Sequence, residues 1–461
     1  MSLRTKVLQG GFYLALRQGL GMLIGVGGVL VLTRTIGPQA YGIYAGVLGV
    51  YAYLHSLSQW GIGVYLIRRE GEIKEEAYHQ AFTFLLVLGG MFTVLAWFAA
   101  PLLESWVRLP TFTSVARTVF LGLLLNLLSL PALARLERGL QYRQVAMIEL
   151  LGQITFYLIA LPLAFSGFGM WAPVAGWWAQ QTFICGLYYR ASRYRPRLYW
   201  NHNLFREMVG YGLSYSASIW VWQLRTLVNP VIVGRFGGAE MVGYVALTIR
   251  MVETLSFVKS ATWRLSIAVL AKLQGDVKRL TQAITEGMQL QILALGPILV
   301  VFGWAAPWLV PLLFGPQWLP VLEVYPFIAL SYLANAMFNL HSSALYVLRY
   351  NLDVTAFHIV HIVFFAGSAY LLVPRLGLVG YGWAEVVALL SYAIIHWYVL
   401  KRVYAPSYRK AGKWFFAFVL ALFSPVLGWT CNLAMVALML WPGTWREFQI
   451  YIRMVRGIAS S

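Results

Sequence analysis

Apolar runs of about twenty residues recur from residue 10 to residue 441, and they leave the chain few folds to adopt. An α-helix needs ~20 residues to cross the ~30 Å hydrocarbon layer. It also satisfies its own backbone hydrogen bonds where lipid offers none. The runs are continuous rather than alternating, which excludes a membrane β-barrel. Charged residues make up 11% of the sequence, against about 25% in soluble domains. An all-α polytopic membrane protein is therefore expected. Spans fall at roughly 10–33, 41–66, 80–103, 113–134, 145–166, 170–189, 208–234, 240–268, 285–313, 320–347, 352–373 and 378–400. Residues 1–35 begin basic but run too long and lack a small-residue cleavage site, so the first span is expected to be retained.

The formal net charge is +19, which on a soluble protein would suggest nucleic acid. With a cytoplasmic N-terminus, the inner loops hold most loop cations, from Arg4 and Lys6 through Arg190–Arg206 to Lys401, Arg402, Arg409, Lys410 and Lys413. The outer loops hold only Arg34, Arg108, Arg235 and Arg375. The positive-inside rule sets that orientation, and basic loops against anionic lipid remove the need for a nucleic-acid partner. The apolar stretch 414–441 is interrupted by Pro425 and Gly428. Crossing once would put Arg446, Arg453 and Arg456 outside, so the same rule favours a helical hairpin there. The total becomes about 12–14 transmembrane helices.

An internal repeat adds to this. Arg34, Gly37, Gly42 and Ala45 recur as Arg235, Gly238, Gly243 and Ala246, each pair 201 residues apart. Six spans precede each equivalent point, so both halves enter the membrane in the same sense. The expected organisation is an N-lobe of spans 1–6 at 1–200, a C-lobe of spans 7–12 at 201–404, and a C-terminal hydrophobic segment with a basic tail at 405–461. The two lobes would be six-helix bundles related by a pseudo-twofold along the membrane normal. Residues 190–207 are expected to form a cytoplasmic linker with an amphipathic segment on the lipid surface.

Charge inside the spans is the main functional signal. Arg225, Arg250, Glu253, Lys259 and Arg264 lie in 208–268, and Arg17 lies in the first span. A charge at bilayer depth costs ~2.5–3.5 kcal/mol on insertion scales, so such residues normally face a bundle interior or a water-filled cavity. Arg250 and Glu253, three apart, are expected to pair, and Arg264 to snorkel to the interface. Cations outnumber anions, which suits a bound anion such as a diphosphate. The expected substrate-binding residues are Arg17, Arg225, Arg250, Glu253 and Lys259, converging on one cavity between the lobes. Glu149 is expected to favour the dipole of its helix. His55, Ser56, Ser58 and Gln59 fit interhelical hydrogen bonding and substrate contact equally well; the pair His358 and His361, which could relay protons, and the pair Asn335 and Asn339 are expected mainly to hydrogen-bond or pack between helices. Asn229–Pro230 is expected to kink span seven.

No catalytic constellation, metal site or cofactor motif is present in the sequence. Cys185 and Cys431 have no ligand spacing and read as packing residues. A membrane glycan polymerase or glycosyltransferase would need a large outer loop or membrane-face carboxylates. A drug or cation antiporter would be expected to use buried carboxylates, whereas arginines dominate here.

Six stretches, taken in order, resemble the polysaccharide transporter family of the multidrug/oligosaccharidyl-lipid/polysaccharide flippase superfamily. They are Leu32–Tyr44 (LTRTIGPQAYGIY), Pro131–Glu149 (PALARLERGLQYRQVAMIE), Gly167–Ala175 (GFGMWAPVA), Val233–Ala246, Leu270–Leu280 (LAKLQGDVKRL) and Phe314–Leu319 (FGPQWL). The resemblance implies a non-enzymatic two-lobed flippase that moves undecaprenyl-diphosphate-linked oligosaccharide, an O-antigen or exopolysaccharide repeat unit, from the cytoplasmic to the outer leaflet. It implies the bacterial cytoplasmic membrane as its location and other polysaccharide-assembly membrane proteins as candidate partners. By similarity to lipid II flippases, Arg17 and Arg250 are implied to contact the diphosphate. Many relatives carry an aspartate where this chain has Asn229, which argues against cation coupling through that position.

Overall fold

Glycine and proline, rather than polar loops, divide the longest helices. A computed structural model describes residues 3–69, 71, 73–257 and 270–442. In chain order its main helices are α1 Leu3–Gln59, α2 Ile62–Arg68, α3 Glu75–Val107, α4 Phe112–Arg138, α5 Tyr142–Phe165, α6 Trp171–Ser192 and α7 His202–Gln223. Then follow α8 Gly234–Leu255, α9 Val277–Leu313, α10 Val321–Val347, α11 Asn351–Ala388, α12 Tyr392–Arg402, α13 Arg409–Leu422 and α14 Leu433–Leu440. Strands are absent among the described residues. Eight helical segments among them are long and apolar enough to cross a membrane. Three of these carry two expected spans each, because a glycine breaks the helix. Gly37 (φ 75°, ψ 173°) breaks α1, Gly238 (φ 73°, ψ −172°) breaks α8, and Gly377 (φ 58°, ψ −131°) breaks α11. A positive φ costs glycine little, and Pro38 has no N–H to continue the helix after Gly37. The expected span 170–189 falls on α6.

The chain divides into two compact units that interleave in sequence. The first comprises Met1–Leu247, Val310–Val321 and His358–Ala384. Within it the 201-residue repeat becomes a set of reciprocal contacts. A side chain at Gly42 would collide with the carbonyl of Ala239, and one at Gly243 with the carbonyl of Pro38. These two contacts exchange under the repeat offset. The paired arginines act in the same way. Arg34 Nη1 donates to Leu312 O at 2.6 Å, at the C-terminal end of α9. Arg235 Nη1 donates to Trp106 O at 3.1 Å, at the C-terminal end of α3, and its guanidinium lies over the Trp106 ring. A cation suits a helix C-terminus, where the last carbonyls have no partner in the helix. The fully buried Trp318 touches Tyr41 and Tyr244 edge-on and donates to Thr33 O.

The linker after α6 differs from expectation. Residues 194–201 form no helix, amphipathic or otherwise. Tyr194 is buried against Tyr78 and His79, which pushes its phenol pKa up by desolvation. Thr83 Oγ1 and Gln80 Oε1 accept from the backbone N–H groups of Tyr199 and Asn201, so α3 anchors the strap. Asn201 then caps α7 by accepting from Leu204 N–H.

The second unit comprises Thr248–Leu309, Leu322–Phe357 and Glu385–Ser461. Here the C-terminal segment climbs along α9. Ser407 N–H donates to Thr285 Oγ1 at 3.1 Å, Phe418 fills the space left by Gly296, and Trp304 Nε1 donates to Ser424 Oγ at 3.1 Å. The chain turns at Gly428 (φ 103°), and α14 packs back on α13. The helix Arg409–Leu422 has 14 residues, which at ~1.5 Å per residue is about 21 Å, so this first arm is longer than the 414–424 portion read from sequence.

Candidate functional site

Arg17 and Gly21, with Gly25 beyond them, recur every four residues and so share one face of α1. Glu149, Gln153 and Tyr157 do the same on α5. The two rows meet in register, 132 residues apart. Arg17 Nε lies 3.1 Å from Glu149 Oε2, Gln153 Nε2 donates to Gly21 O at 2.7 Å, and the Tyr157 hydroxyl donates to Gly25 O at 3.2 Å. A side chain at Gly28 would strike the Tyr157 ring. The glycines of the first span thus let polar α5 side chains reach α1 backbone carbonyls, a close-approach use of small residues.

This ladder forms one wall of a cavity of about 300 Å³ within the first unit. Asn126 and Ser129 of α4, His55 of α1, and Gln180, Gln181 and Tyr188 of α6 line it with Arg17, Glu149 and Gln153. The ion pair is loosely made. The Arg17 Nε–H is buried and not aligned on any acceptor, despite its distance from Glu149. Arg17 Nη1 donates to Gln18 Oε1 at 3.3 Å, and the Tyr188 hydroxyl lies 3.5 Å from Glu149 Oε1. Each charged side chain is about one-third exposed (33% and 30%). A pair of this exposure contributes at most about 1 kcal/mol to stability, so other groups can compete for it. Arg17 therefore has a carboxylate beside it, a partner that its spacing in the sequence does not assign.

The other expected residues lie elsewhere. Arg225 belongs to the first unit but does not line this cavity. Its guanidinium sits over the rings of Trp222 and Phe365, and Trp222 in turn packs against His358 and His361. Arg225 starts a short turn that leads into a π-helical turn at Val228–Val233, the form taken by the expected Asn229–Pro230 kink. Arg250 and Glu253 lie in the second unit, and both are exposed. Their expected ion pair is not made among the described residues. Glu253 Oε1 instead accepts from the Tyr332 hydroxyl at 3.1 Å. Lys259 and Arg264 lie outside the described residues. No group of three or more His, Cys, Asp or Glu side chains that could hold a metal occurs among the described residues.

A family model described as "Polysaccharide biosynthesis protein" matches residues 31–323. The chain belongs to this family. It is 25% identical over 312 residues to the succinoglycan biosynthesis transport protein ExoT of Rhizobium meliloti (strain 1021), covering 66% of this chain and 61% of that one. It is 26% identical over 190 residues to the amylovoran biosynthesis protein AmsL of Erwinia amylovora, covering 40% and 49%. It is 23% identical over 338 residues to the lipopolysaccharide biosynthesis protein WzxC of Escherichia coli (strain K12), covering 70% and 67%. The matches to ExoT and AmsL thus span less than two thirds of those proteins. Among solved structures, the lipid II flippase MurJ in an inward closed conformation superposes with a TM-score of 0.73 at 11% identity, covering 97% of this chain and 99% of that one. An inward-facing MATE family transporter of the MOP superfamily gives 0.65 at 14%, covering 84% and 98%. The polysaccharide biosynthesis protein therefore has the helical fold of these transporters.

Two features of this family member escape sequence reading. Glu385 is fully buried, and its Oε2 accepts from the Ser331 hydroxyl at 2.7 Å. A carboxylate inside the span 378–400 was the available signal. The Tyr408 hydroxyl lies 2.5 Å from His341 Nε2 and 2.6 Å from His396 Nδ1, bridging α10 and α12 just before α13 begins. Burial raises the pKa of this phenol, so it stays protonated. Nothing in the spacing of residues 341, 396 and 408 announces that bridge. Asn335 Nδ2 donates to the Tyr392 hydroxyl, a cross-helix hydrogen bond of the kind expected.

Proposed function

We propose that the protein is a flippase for undecaprenyl-diphosphate-linked oligosaccharide, moving it from the cytoplasmic to the outer leaflet of the bacterial cytoplasmic membrane by alternating access. The N-terminus is on the cytoplasmic side, and the working parts are the lobes 1–200 and 201–404. The observation that carries this reading is a half-buried arginine, Arg17, in a polar cavity inside an apolar helical chain of this family. Family membership and the transport named for ExoT support the reaction class. The reciprocal contacts at Gly42 and Gly243 support a repeat that can rock about a seam.

In this reading Arg17, Arg225, Arg250 and Lys259 serve the diphosphate, and Glu253 keeps its hydrogen bond to Tyr332. Arginine suits the role because its planar fork binds two phosphate oxygens and stays charged. The test is flipping of a labelled lipid-linked oligosaccharide in proteoliposomes. Loss of one charged hydrogen-bond partner costs ~1.5–3 kcal/mol, so Arg17→Ala and Arg250→Ala should each slow flipping about 10- to 100-fold. Arg250→Lys should be impaired less, and Arg264→Ala little. Near-normal flipping by folded Arg17→Ala and Arg250→Ala would rule out the proposed contacts.

A further inference from the structure

The α1–α5 ladder does more than bury Arg17, because it also fixes what sits opposite. Gln153 and Tyr157 bind α1 carbonyls in the same register that sets Glu149 beside Arg17. Glu149 Oε1 also lies 3.5 Å from the Tyr188 hydroxyl, so the carboxylate has a second partner besides Arg17. The arginine is less fully engaged. Its guanidinium is incompletely used: Nε–H is buried without an aligned acceptor, and Nη1 holds only the neighbouring Gln18.

We propose that Glu149 is the resident counter-anion of the Arg17 site, displaced by the substrate's diphosphate and setting the affinity for it. This rests on the flippase reading above. A diphosphate and a carboxylate repel, so they compete for one guanidinium rather than share it. The diphosphate is the stronger ligand, since it can accept from both arms of the arginine fork. Also lining the cavity, the side-chain amides of Gln180 and Gln181 make no hydrogen bond among the described residues and can donate to the incoming anion. Tyr188, 3.5 Å from Glu149, offers the displaced carboxylate a neutral donor. The exchange has a physical purpose. An empty carrier returning across the membrane with a bare Arg17 would bear an unpaired charge at depth, and Glu149 removes that barrier.

The test uses the full-length protein in detergent, with undecaprenyl diphosphate as the probe and uncharged undecaprenol as its control. Glu149→Gln should bind undecaprenyl diphosphate at least about tenfold more tightly, as expected when a like-charge neighbour is removed, with undecaprenol binding unchanged. Glu149→Asp, which keeps the charge, should behave like the parent. The gain should vanish in an Arg17→Ala background, where the single and double variants bind equally. In proteoliposomes, Glu149→Gln should lower the half-saturating substrate concentration while slowing turnover, because the empty return is hindered. A purely structural ion pair would instead weaken binding and lower the melting temperature together. The proposal is overturned if folded Glu149→Gln binds no more tightly, or if its gain survives without Arg17. Absence of flipping by the parent protein would count against the flippase reading instead.

Discussion

Asn229 differs chemically from the aspartate that the resemblance leads one to expect there, and the structure uses the difference. Its Nδ2 donates to Val242 O at 3.2 Å, across the Gly238 break. An aspartate has no N–H and would face that carbonyl acceptor to acceptor. The π-helical turn at Val228–Val233 and Pro230 have already disturbed the regular backbone ladder around it. Asn229→Asp should therefore destabilise by about 1–3 kcal/mol, the usual cost of an unpaired buried polar group. Thermal unfolding in detergent checks this, and Asn229→Asp melting at the parent temperature would contradict it. Arg17 and Glu253 make the same point: an ionisable side chain in a span takes whichever polar partner the neighbouring helix brings. For Arg17 that is Glu149, and for Glu253 it is Tyr332.

The helices are held closest where glycine replaces a side chain against backbone. At Gly42 and Gly243 the obstacle is a carbonyl, which cannot rotate aside as a side-chain tip can. Gly42→Ala and Gly243→Ala should each lower the melting temperature by several degrees, following the ~1–3 kcal/mol cost of overpacking a close contact. Gly27→Ala is the control, since nothing lies within 4 Å of a side chain there. In a helix interior that change is neutral or favourable by up to about 1 kcal/mol. The two repeat glycines should respond alike because their contacts are exchanged by the repeat. A large difference between them would argue against functional equivalence of the halves.

For the molecule as a whole, the repeat makes a prediction about access. If the halves rock about the Gly42–Gly243 seam, Ala45 and Ala246, one repeat apart, should share their exposure through the cycle. With Cys185 and Cys431 replaced by serine, Ala45→Cys and Ala246→Cys should react in parallel with a membrane-impermeant thiol reagent added from outside. Arg34→Ala and Arg235→Ala remove the caps on α9 and α3. Each cap contributes about 0.3–1 kcal/mol, so each variant should raise labelling of both cysteines together. Labelling of one position without the other would contradict a paired movement of the halves.

Hydropathy alone determined that this chain is a bundle of membrane-length helices, because helix formation in lipid is dictated by the local absence of water. The 201-residue offset was equally legible, since Gly37 and Gly238 adopt the same positive-φ conformation at the same point of each repeat. Arg17 was legible as a charge at depth. What spacing could not decide was which side chain meets it. That depends on α1 and α5 running side by side in one register, a relation between residues 132 apart that leaves no period in either helix. The same holds for Glu253, which turns to Tyr332 rather than to Arg250 three residues before it. It holds for the strap 194–201, whose backbone is claimed by Gln80 and Thr83 before it can coil on lipid. Burial and covalent chain geometry act locally and can be read from a sequence. The choice of partner for a buried charge is made by helices far apart in it, and only their packing decides it.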